Sequence, residues 1–303
     1  MPEIDKKNEK VQILMSVYNG EKYLREQIDS ILGQSYDNIQ ILIRDDGSTD
    51  RSMDILQEYQ KIYPNISVIK GRNIGLTPSF IELLGESDAD YVAFCDQDDV
   101  WMENKIEKAV EKLKAIKMPA LYCSNQILVN EQLEKIDNGK IPHINPGFGN
   151  AVIESVCTGC TVVMNEALVK TMKGHLPTEA IWHDWWCYMV ASYLGTVIFD
   201  ENAYIYYRQH GNNQLGLSRN AFVIIRNKWN FLKNTRGMLG RQLENFAKEY
   251  RGDEEKDALV DMLCASKTSF KARVQVIFNK KIYRQKALDR LAVKVLCLVN
   301  RLL

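Results

Sequence analysis

Clusters of carboxylates follow directly after apolar, strand-like segments in this chain. The stretch from Tyr91 to Phe94 has the pattern of a buried strand, and Asp96, Asp98 and Asp99 come immediately after it. Neighbouring carboxylates repel one another, so a fold holds them at a strand end when a cation or strong donors neutralise them. Hard divalent cations take one or two carboxylates together with substrate phosphates. The cluster predicts a metal-bridged diphosphate at the carboxyl end of a strand, with a solvated acidic turn as the alternative.

Two earlier segments also end in polar residues. The stretch from Ile39 to Arg44 has the pattern of a largely buried strand, and Asp45-Asp46-Gly47 follows it. The stretch from Val11 to Val17 is a first strand that ends at Tyr18-Asn19-Gly20. Three strand-to-loop junctions therefore carry polar groups that suit one ligand.

Strand and helix patterns alternate through the first half of the chain. Strands are expected near residues 11–17, 39–45, 66–70, 91–95 and 120–124, and helices near 21–33, 50–61, 78–85 and 102–117. Such alternation predicts a mostly parallel sheet with right-handed crossovers and helices on its faces. The fold class is therefore α/β.

Five motifs, in order and spacing, resemble those of the family-2 glycosyltransferases. They are Ser16-Val17-Tyr18-Asn19-Gly20, Gln34-Ser35-Tyr36, Asp45-Asp46-Gly47-Ser48-Thr49-Asp50, Arg72-Asn73-Ile74-Gly75 and Asp96-Gln97-Asp98-Asp99-Val100-Trp101. The resemblance covers about residues 10–215 and implies a Rossmann-like GT-A fold, a divalent metal (Mg²⁺ or Mn²⁺) and inversion at the anomeric carbon. It divides the chain into a nucleotide-sugar-binding catalytic domain, residues 1–217, and a basic, amphipathic helical C-terminal appendage, residues 218–303.

The resemblance also implies which residues contact the donor. By analogy, Asp46 accepts the N3–H of a uracil or thymine ring, which favours uridine or thymidine donors over cytidine. Ser16 and Tyr18 line the same pocket, and Arg72 lies near the base. Asp96 contributes to nucleotide-sugar binding and helps to hold the metal.

A second set of implied residues concerns the metal and the leaving group. Asp98 is expected to be the chief metal ligand. The run Tyr206-Tyr207-Arg208-Gln209-His210-Gly211-Asn212-Asn213 resembles the segment that closes over the donor diphosphate in bacterial rhamnosyltransferases. In that interpretation Arg208 stabilises the leaving diphosphate and His210 contacts metal or phosphate. The alternative is a loop with a surface histidine.

The expected general base is Asp184, in the motif His183-Asp184-Trp185-Trp186 at the start of a predicted helix. Many family members have a carboxylate base there, often within a Glu-Asp pair, and His183 replaces the Glu in this chain. The alternative is an aspartate that caps the helix beside core tryptophans.

The two motifs around Asp184 and Arg208 look most like those of rhamnosyltransferases that build bacterial cell-wall or capsular polysaccharides. That likeness implies dTDP-β-L-rhamnose as the donor and a lipid-linked saccharide as the acceptor. One alternative is an enzyme of the same fold that uses a UDP-hexose. Another is a non-catalytic nucleotide-sugar-binding scaffold.

The net charge of zero hides an asymmetry between the two parts of the chain. Residues 1–218 contain 20 Lys and Arg against 31 Asp and Glu, whereas residues 219–303 contain 19 against 8. The C-terminal part interleaves these cations with apolar residues, as in Ala221 to Leu232 and in residues 270–303. This pattern predicts amphipathic helices on an anionic membrane surface, with a packed appendage or a homodimer interface as alternatives. Nucleic-acid binding is not expected, because no recognised module accompanies the charge.

The seven cysteines are an odd number, most lie in apolar segments, and they indicate buried free thiols in a reducing compartment. The pair Cys157 and Cys160 has CxxC spacing, but no second pair exists to complete a zinc site. No signal peptide pattern and no apolar run of ~20 residues is present. We therefore expect a cytoplasmic protein that binds peripherally to the inner face of the plasma membrane.

Overall fold

The computed structural model describes residues 9–136, 143–210 and 237–303. Its strands are β1 Val11–Val17, β2 Ile39–Asp45, β3 Ile66–Lys70, β4 Tyr91–Cys95, β5 Val100–Trp101, β6 Ala120–Val129, β7 Val163–Asn165 and β8 Thr196–Arg208. Its helices are α1 Leu24–Leu32, α2 Ser52–Ile62, α3 Leu76–Glu86, α4 Lys105–Leu113, α5 Phe148–Ala151, α6 Glu166–Lys173, α7 His183–Leu194, α8 Met238–Glu249, α9 Glu254–Ser266, α10 Phe270–Phe278 and α11 Ala287–Leu298. The five predicted strands and four predicted helices are all present, and β6 continues five residues beyond its predicted end, to Val129.

The eight strands form one sheet in the order β3-β2-β1-β4-β7-β6-β8-β5. β1 lies between β2 and β4 and is parallel to both. β7 runs antiparallel to β4 and β6, and β5 runs antiparallel to β8. The α/β prediction is confirmed, and the central β3-β2-β1-β4 part is parallel throughout.

Strands β1 and β4 are buried along their whole length, because helices cover both sides of the sheet. Successive side chains of β1 alternate between two cores: Ile13 and Met15 contribute to one, and Leu14 to the other. Helices α1, α2 and α4 pack into the first core, and α3, α6 and α7 pack into the second. This double cover explains why the strands are nearly continuous apolar runs.

The described C-terminal helices pack on the catalytic domain through the second core. Leu243 and Phe246 of α8 are fully buried in it, as is Leu263 of α9. Outside the core, Arg284 forms an ion pair with Glu154 at 3.0 Å. The C-terminal region and the sheet therefore share one hydrophobic core.

Part of the predicted basic region, the amphipathic stretch Ala221 to Leu232, lies outside the described residues. In the portions of the chain that are described, no helix has both the length and the apolar character needed to cross a bilayer.

Candidate active site

The carboxyl ends of β1, β2 and β4 lie at the same edge of the sheet. In the β1–β2 ladder Val17 pairs with Asp45, and in the β1–β4 ladder Met15 pairs with Cys95. The chain crosses from one side of β1 to the other between β3 and β4, so this edge is a topological switch point. Open α/β sheets bind their ligands in the crevice at such a point.

Gln97 joins the loop after β4 to the loop after β1. Its side-chain oxygen accepts a hydrogen bond from the Tyr18 amide at 2.8 Å, and its side-chain nitrogen donates to the Tyr18 carbonyl at 3.1 Å. A Cβ at Gly20 would lie 2.6 Å from the same oxygen, so glycine permits this approach. The Tyr18 ring remains 46% exposed, and Ser16 is buried with its hydroxyl 2.7 Å from that of Ser79. Sequence reasoning missed Gln97, which lies between two carboxylates.

Asp46 is buried and already hydrogen-bonded. Its two carboxylate oxygens accept the backbone N–H groups of Ile74 and Gly75, each at 2.9 Å. One of these oxygens also forms an ion pair with Arg44, which is itself buried. Arg72 is exposed, and its carbonyl accepts a hydrogen bond from Arg44 at 3.2 Å. Asp46 thereby holds the Arg72–Gly75 loop against the end of β2.

The carboxylates after β4 differ in burial and in partners. Asp99 is fully buried; one of its oxygens accepts the Arg208 amide at 3.0 Å, and the other has no hydrogen-bond partner in the described structure. Burial and the nearby charge of Asp98 raise the pKa of Asp99 well above its usual range. Burial, followed by the charges of Asp98 and Asp184, raises the pKa of Asp96 to about 7. The fold thus crowds these carboxyl groups together with few donors, and burial and their mutual repulsion favour the protonated form of Asp96 and Asp99.

Arg208 is buried and supports the loop from Asp96 to Asp99, the acidic loop. Its side chain is 1% exposed, and its Nε atom donates to the Asp98 carbonyl at 2.8 Å. The other guanidinium nitrogens donate to the Glu131 carbonyl and to the Glu26 carboxylate, each at 2.5 Å. The guanidinium also lies 4.5 Å from the centre of the Tyr23 ring. In this conformation the buried guanidinium is bound by protein groups, whereas the sequence interpretation has it stabilise the leaving diphosphate.

His210 lies beside Asp98. Its Nε2 atom is 2.8 Å from Asp98 Oδ2, and its ring stacks on Tyr23 with centroids 5.1 Å apart. The next residues of the motif, Gly211-Asn212-Asn213, lie outside the described residues.

Two carboxylates of the loop after β4 and a cysteine from the turn before β7 lie close enough together to hold a metal ion. Ligand atoms of Asp96, Asp99 and Cys160 lie within 4.8 Å of one another. The predicted metal ligands are Asp98, Asp96 and His210, so only Asp96 belongs to both sets. Asp98 and His210 form an ion pair with each other. Burial raises the pKa of the Cys160 thiol well above its usual range, so it stays protonated and is a poor ligand. The unpartnered Asp99 oxygen beside the Asp96 carboxylate fits a hard cation with oxygen ligands, such as Mg²⁺ or Mn²⁺.

Asp184 occupies the first turn of α7, where its Cβ lies 3.8 Å from the position that a Cβ at Gly159 would take. Its Oδ1 accepts the Trp185 amide at 2.7 Å. Burial raises its pKa to about 6, although backbone donors act in the opposite direction. The charge of Asp184 also contributes to the raised pKa of Asp96. A carboxylate with this pKa is suited to take a proton at neutral pH.

His183 lies inside the core next to Asp184. Its ring stacks on Phe80 at 4.0 Å and meets the edge of Phe94 at 4.8 Å. Burial lowers its pKa to about 3, so the ring is neutral at physiological pH. Neither ring nitrogen has a hydrogen-bond partner in the described structure. In this position, where a Glu-Asp pair is common in the family that the sequence resembles, the histidine packs as an aromatic side chain.

Comparison with known sequences identifies one matching family. The profile of "Glycosyl transferase family 2" matches residues 12–169. The dTDP-rhamnosyl transferase RfbG of Shigella flexneri is 31% identical over 236 residues, which are 71% of this chain and 80% of that protein.

Comparison with solved structures supports the GT-A fold. TarS 1–349 of S. aureus, in complex with UDP-GlcNAc, superposes with a TM-score of 0.58 and 15% identity over 96% of this chain and 89% of that one. The mannosyltransferase PcManGT of Pyrobaculum calidifontis, in complex with GDP-Man and Mn²⁺, gives a TM-score of 0.56 and 10% identity over 97% and 84%. At these identities the likeness establishes the fold alone.

Proposed function

The chain belongs to glycosyl transferase family 2, and on that premise we propose that it transfers L-rhamnose from dTDP-β-L-rhamnose with inversion. The proposed acceptor is a lipid-linked saccharide in bacterial cell-wall or capsular polysaccharide synthesis. The rhamnosyl assignment is supported by the likeness to RfbG and by the motifs around Asp184 and Arg208. The proposed place of action is the inner face of the plasma membrane.

The observation that carries a catalytic function is the proximity of Asp184 to Asp96. The two residues are far apart in the sequence, and they meet on either side of Gly159-Cys160. A Cβ at Gly159 would lie 3.8 Å from the Asp184 Cβ, and the Cys160 Sγ lies within 4.8 Å of an Asp96 carboxylate oxygen. A transferase needs a base for the acceptor hydroxyl next to the group that neutralises the leaving diphosphate. A nucleotide-sugar-binding scaffold has no use for this pairing.

In the proposed reaction the acceptor hydroxyl attacks the anomeric carbon in line with the bond to the diphosphate. Asp184 takes the hydroxyl proton as the new glycosidic bond forms and the bond to the diphosphate oxygen breaks. Asp98, Asp96 and His210 are the proposed ligands of a Mg²⁺ or Mn²⁺ ion, which offsets the charge on the leaving diphosphate when bound. Arg208 holds the Asp98 backbone, so its proposed contribution to the leaving group acts through that loop.

For the nucleotide we propose the pocket formed by Ser16, Tyr18, Asp46 and Arg72. The exposed ring of Tyr18 and the exposed guanidinium of Arg72 are available to a base. Asp46 already accepts backbone N–H groups from Ile74 and Gly75, so reading the base N3–H requires this loop to adjust.

A panel of nucleotide sugars tests the proposal with one purified protein. We expect transfer from dTDP-rhamnose, with no transfer when Asp184 is replaced by Asn. Preferential turnover of a UDP-hexose would leave the glycosyltransferase assignment intact and overturn the rhamnosyl one. Donor binding without turnover of any sugar, with acceptor extracts present, would instead support a binding scaffold.

A further inference from the structure

Helix α11, the last in the chain, has two apolar faces. On one face Val293 and Cys297 are buried at 6% and 1% exposure and belong to the core shared with the catalytic domain. On the other face four aliphatic side chains are exposed. They are Leu288 at 82%, Leu291 at 60%, Val295 at 52% and Leu298 at 48%.

The four exposed residues form a continuous stripe. Their spacing of three, four and three residues places them on one side of an α-helix. Single exposed apolar residues are common on soluble proteins, whereas a contiguous exposed stripe indicates an interaction surface. We call Leu288, Leu291, Val295 and Leu298 the α11 stripe.

The surroundings of the α11 stripe are strongly basic. Residues 270–303 contain nine Lys and Arg and one acidic residue, Asp289. Arg290 and Lys294 lie on the same helix, and both are exposed. Lys286 and Arg301, also exposed, lie beyond its two ends. An apolar stripe bordered by cations is typical of a helix that lies in the interface of an anionic bilayer.

The charge around the α11 stripe favours a lipid surface over a second copy of this chain as its binding partner. Two α11 stripes packed against each other would bring Arg290 and Lys294 near the same cations of the other copy, with only Asp289 on the helix to offset them. An anionic leaflet complements the apolar and the cationic parts together. With 12 residues, α11 is too short to span a membrane but suits an orientation parallel to its plane.

The segment that leads into α11, residues 283–285, is attached to the catalytic domain by several contacts. The Asn150 side chain donates to the Tyr283 carbonyl at 3.0 Å, and Arg284 pairs with Glu154 at 3.0 Å. The Gln285 amide donates to the other Glu154 oxygen at 2.8 Å. A surface that engaged the α11 stripe would therefore hold the catalytic domain in a fixed orientation.

We propose that the α11 stripe and its flanking cations dock the protein on an anionic phospholipid bilayer. The inference deepens the proposed function by naming the surface that brings the site to a lipid-linked acceptor. Docking depends on the surface of the helix and not on catalysis, so vesicle binding can be measured without any donor or acceptor present.

The test is co-sedimentation of the full chain with phosphatidylglycerol-containing vesicles and with neutral phosphatidylcholine vesicles. We expect binding to the anionic vesicles at low salt, weaker binding at high salt, and none to the neutral vesicles. Lys286→Gln/Lys294→Gln should weaken binding at least about tenfold, because each cation near an anionic leaflet contributes about a factor of five. Leu291→Ser/Val295→Ser should weaken it by a similar or larger factor.

The matched control is Lys112→Gln/Lys114→Gln, which removes two exposed lysines from the α4 region and should bind as the unaltered protein does. Thermal unfolding verifies that every variant is folded, and dTDP-rhamnose turnover reports separately on the proposed function. Equal vesicle binding by the Leu291→Ser/Val295→Ser variant would overturn the proposal. Failure of the folded, unaltered protein to bind anionic vesicles would also overturn it. So would sedimentation velocity that shows a dimer of the unaltered protein and a monomer of this variant.

Discussion

The Nε2 atom of His210 lies 2.8 Å from Oδ2 of Asp98, although 112 residues separate the two in the sequence. The contact depends on the antiparallel pairing of β5 with β8, in which Val100 lies opposite Tyr206. That pairing carries the end of β8 to the loop after β4. The two predicted metal ligands are thus brought together by the far edge of the sheet.

We expect Asp98→Asn to abolish metal-dependent transfer while the protein stays folded. The substitution removes one negative charge from a loop whose carboxylates are only partly offset by donors. Calorimetric titration with Mn²⁺ should give affinities at least about tenfold weaker for Asp98→Asn and for His210→Ala. Asp54→Asn, an exposed carboxylate on α2, is the control and should leave both affinity and activity unchanged. Full activity of Asp98→Asn, or of the unaltered protein in excess EDTA, would contradict a metal at this loop.

Asp184→Asn should bind donor almost normally and lose roughly 10²–10⁴ in kcat. The asparagine oxygen can still accept the Trp185 amide, so the start of α7 is retained. In the unaltered enzyme kcat/KM should rise with pH to a plateau above about pH 6, where the Asp184 carboxylate is ionised. Initial rates across pH, with donor affinity measured separately, check both points. A variant with weaker donor binding and unchanged turnover would make Asp184 a helix cap.

The same substitution should raise stability at alkaline pH. The pKa of Asp184 is about 6 in the folded protein and about 3.9 in an unfolded chain. Because the unfolded chain releases this proton more readily, ionisation of the carboxyl lowers the free energy of unfolding. Stability of the unaltered protein is therefore lost as pH rises between these values, and Asp184→Asn does not undergo that loss. Urea unfolding should favour the variant by about 2 kcal/mol more at about pH 8 than at about pH 4. A difference that does not vary with pH would contradict the raised pKa.

Two arginines of the predicted site should respond differently to substitution by methionine. Arg208→Met leaves the Glu26 carboxylate and the carbonyls of Asp98 and Glu131 without their donor, so it should cost about 2 kcal/mol of stability together with activity. Arg72 is exposed, and Arg72→Met should raise the KM for the donor with little change in melting temperature. Thermal unfolding and donor kinetics on the matched pair check this. Equal melting temperatures for the two variants would argue against the structural role of Arg208.

His183 should tolerate an apolar replacement better than an acidic one. Its ring lies between Phe80 and Phe94 and has no hydrogen-bond partner in the described part of the chain, so His183→Leu should change stability by less than about 1.5 kcal/mol. His183→Glu buries a carboxylate, which raises its pKa, so the variant should lose stability as pH rises above about 4. Urea unfolding at acidic and alkaline pH measures both effects. A stable, active His183→Glu variant at alkaline pH would indicate that this position opens toward the site.

The sequence alone determined the positions of the central strands and most of the polar residues at the sheet edge where these strands end. Strands and helices are written in local patterns: apolar runs for strands covered on both sides, and periodic apolar positions for the helices between them. Asp46, Asp96 and Asp98 follow those runs directly, so their place at one sheet edge could be predicted before any contact was known. The amphipathic character of the region that contains α11 was likewise predictable, because it follows from the local alternation of apolar and basic residues.

Only the tertiary structure decided what surrounds each of these groups. The Arg208 guanidinium is buried because Glu26 and the Glu131 carbonyl come from distant parts of the chain to bind it. His183 becomes an aromatic core residue because Phe80 and Phe94 meet on either side of it. The packed and exposed faces of α11 are distinguished in the same way, by which surface of the catalytic domain the helix contacts. Local patterns fix which residues share a face, whereas burial and pairing depend on residues that the chain brings together from far apart.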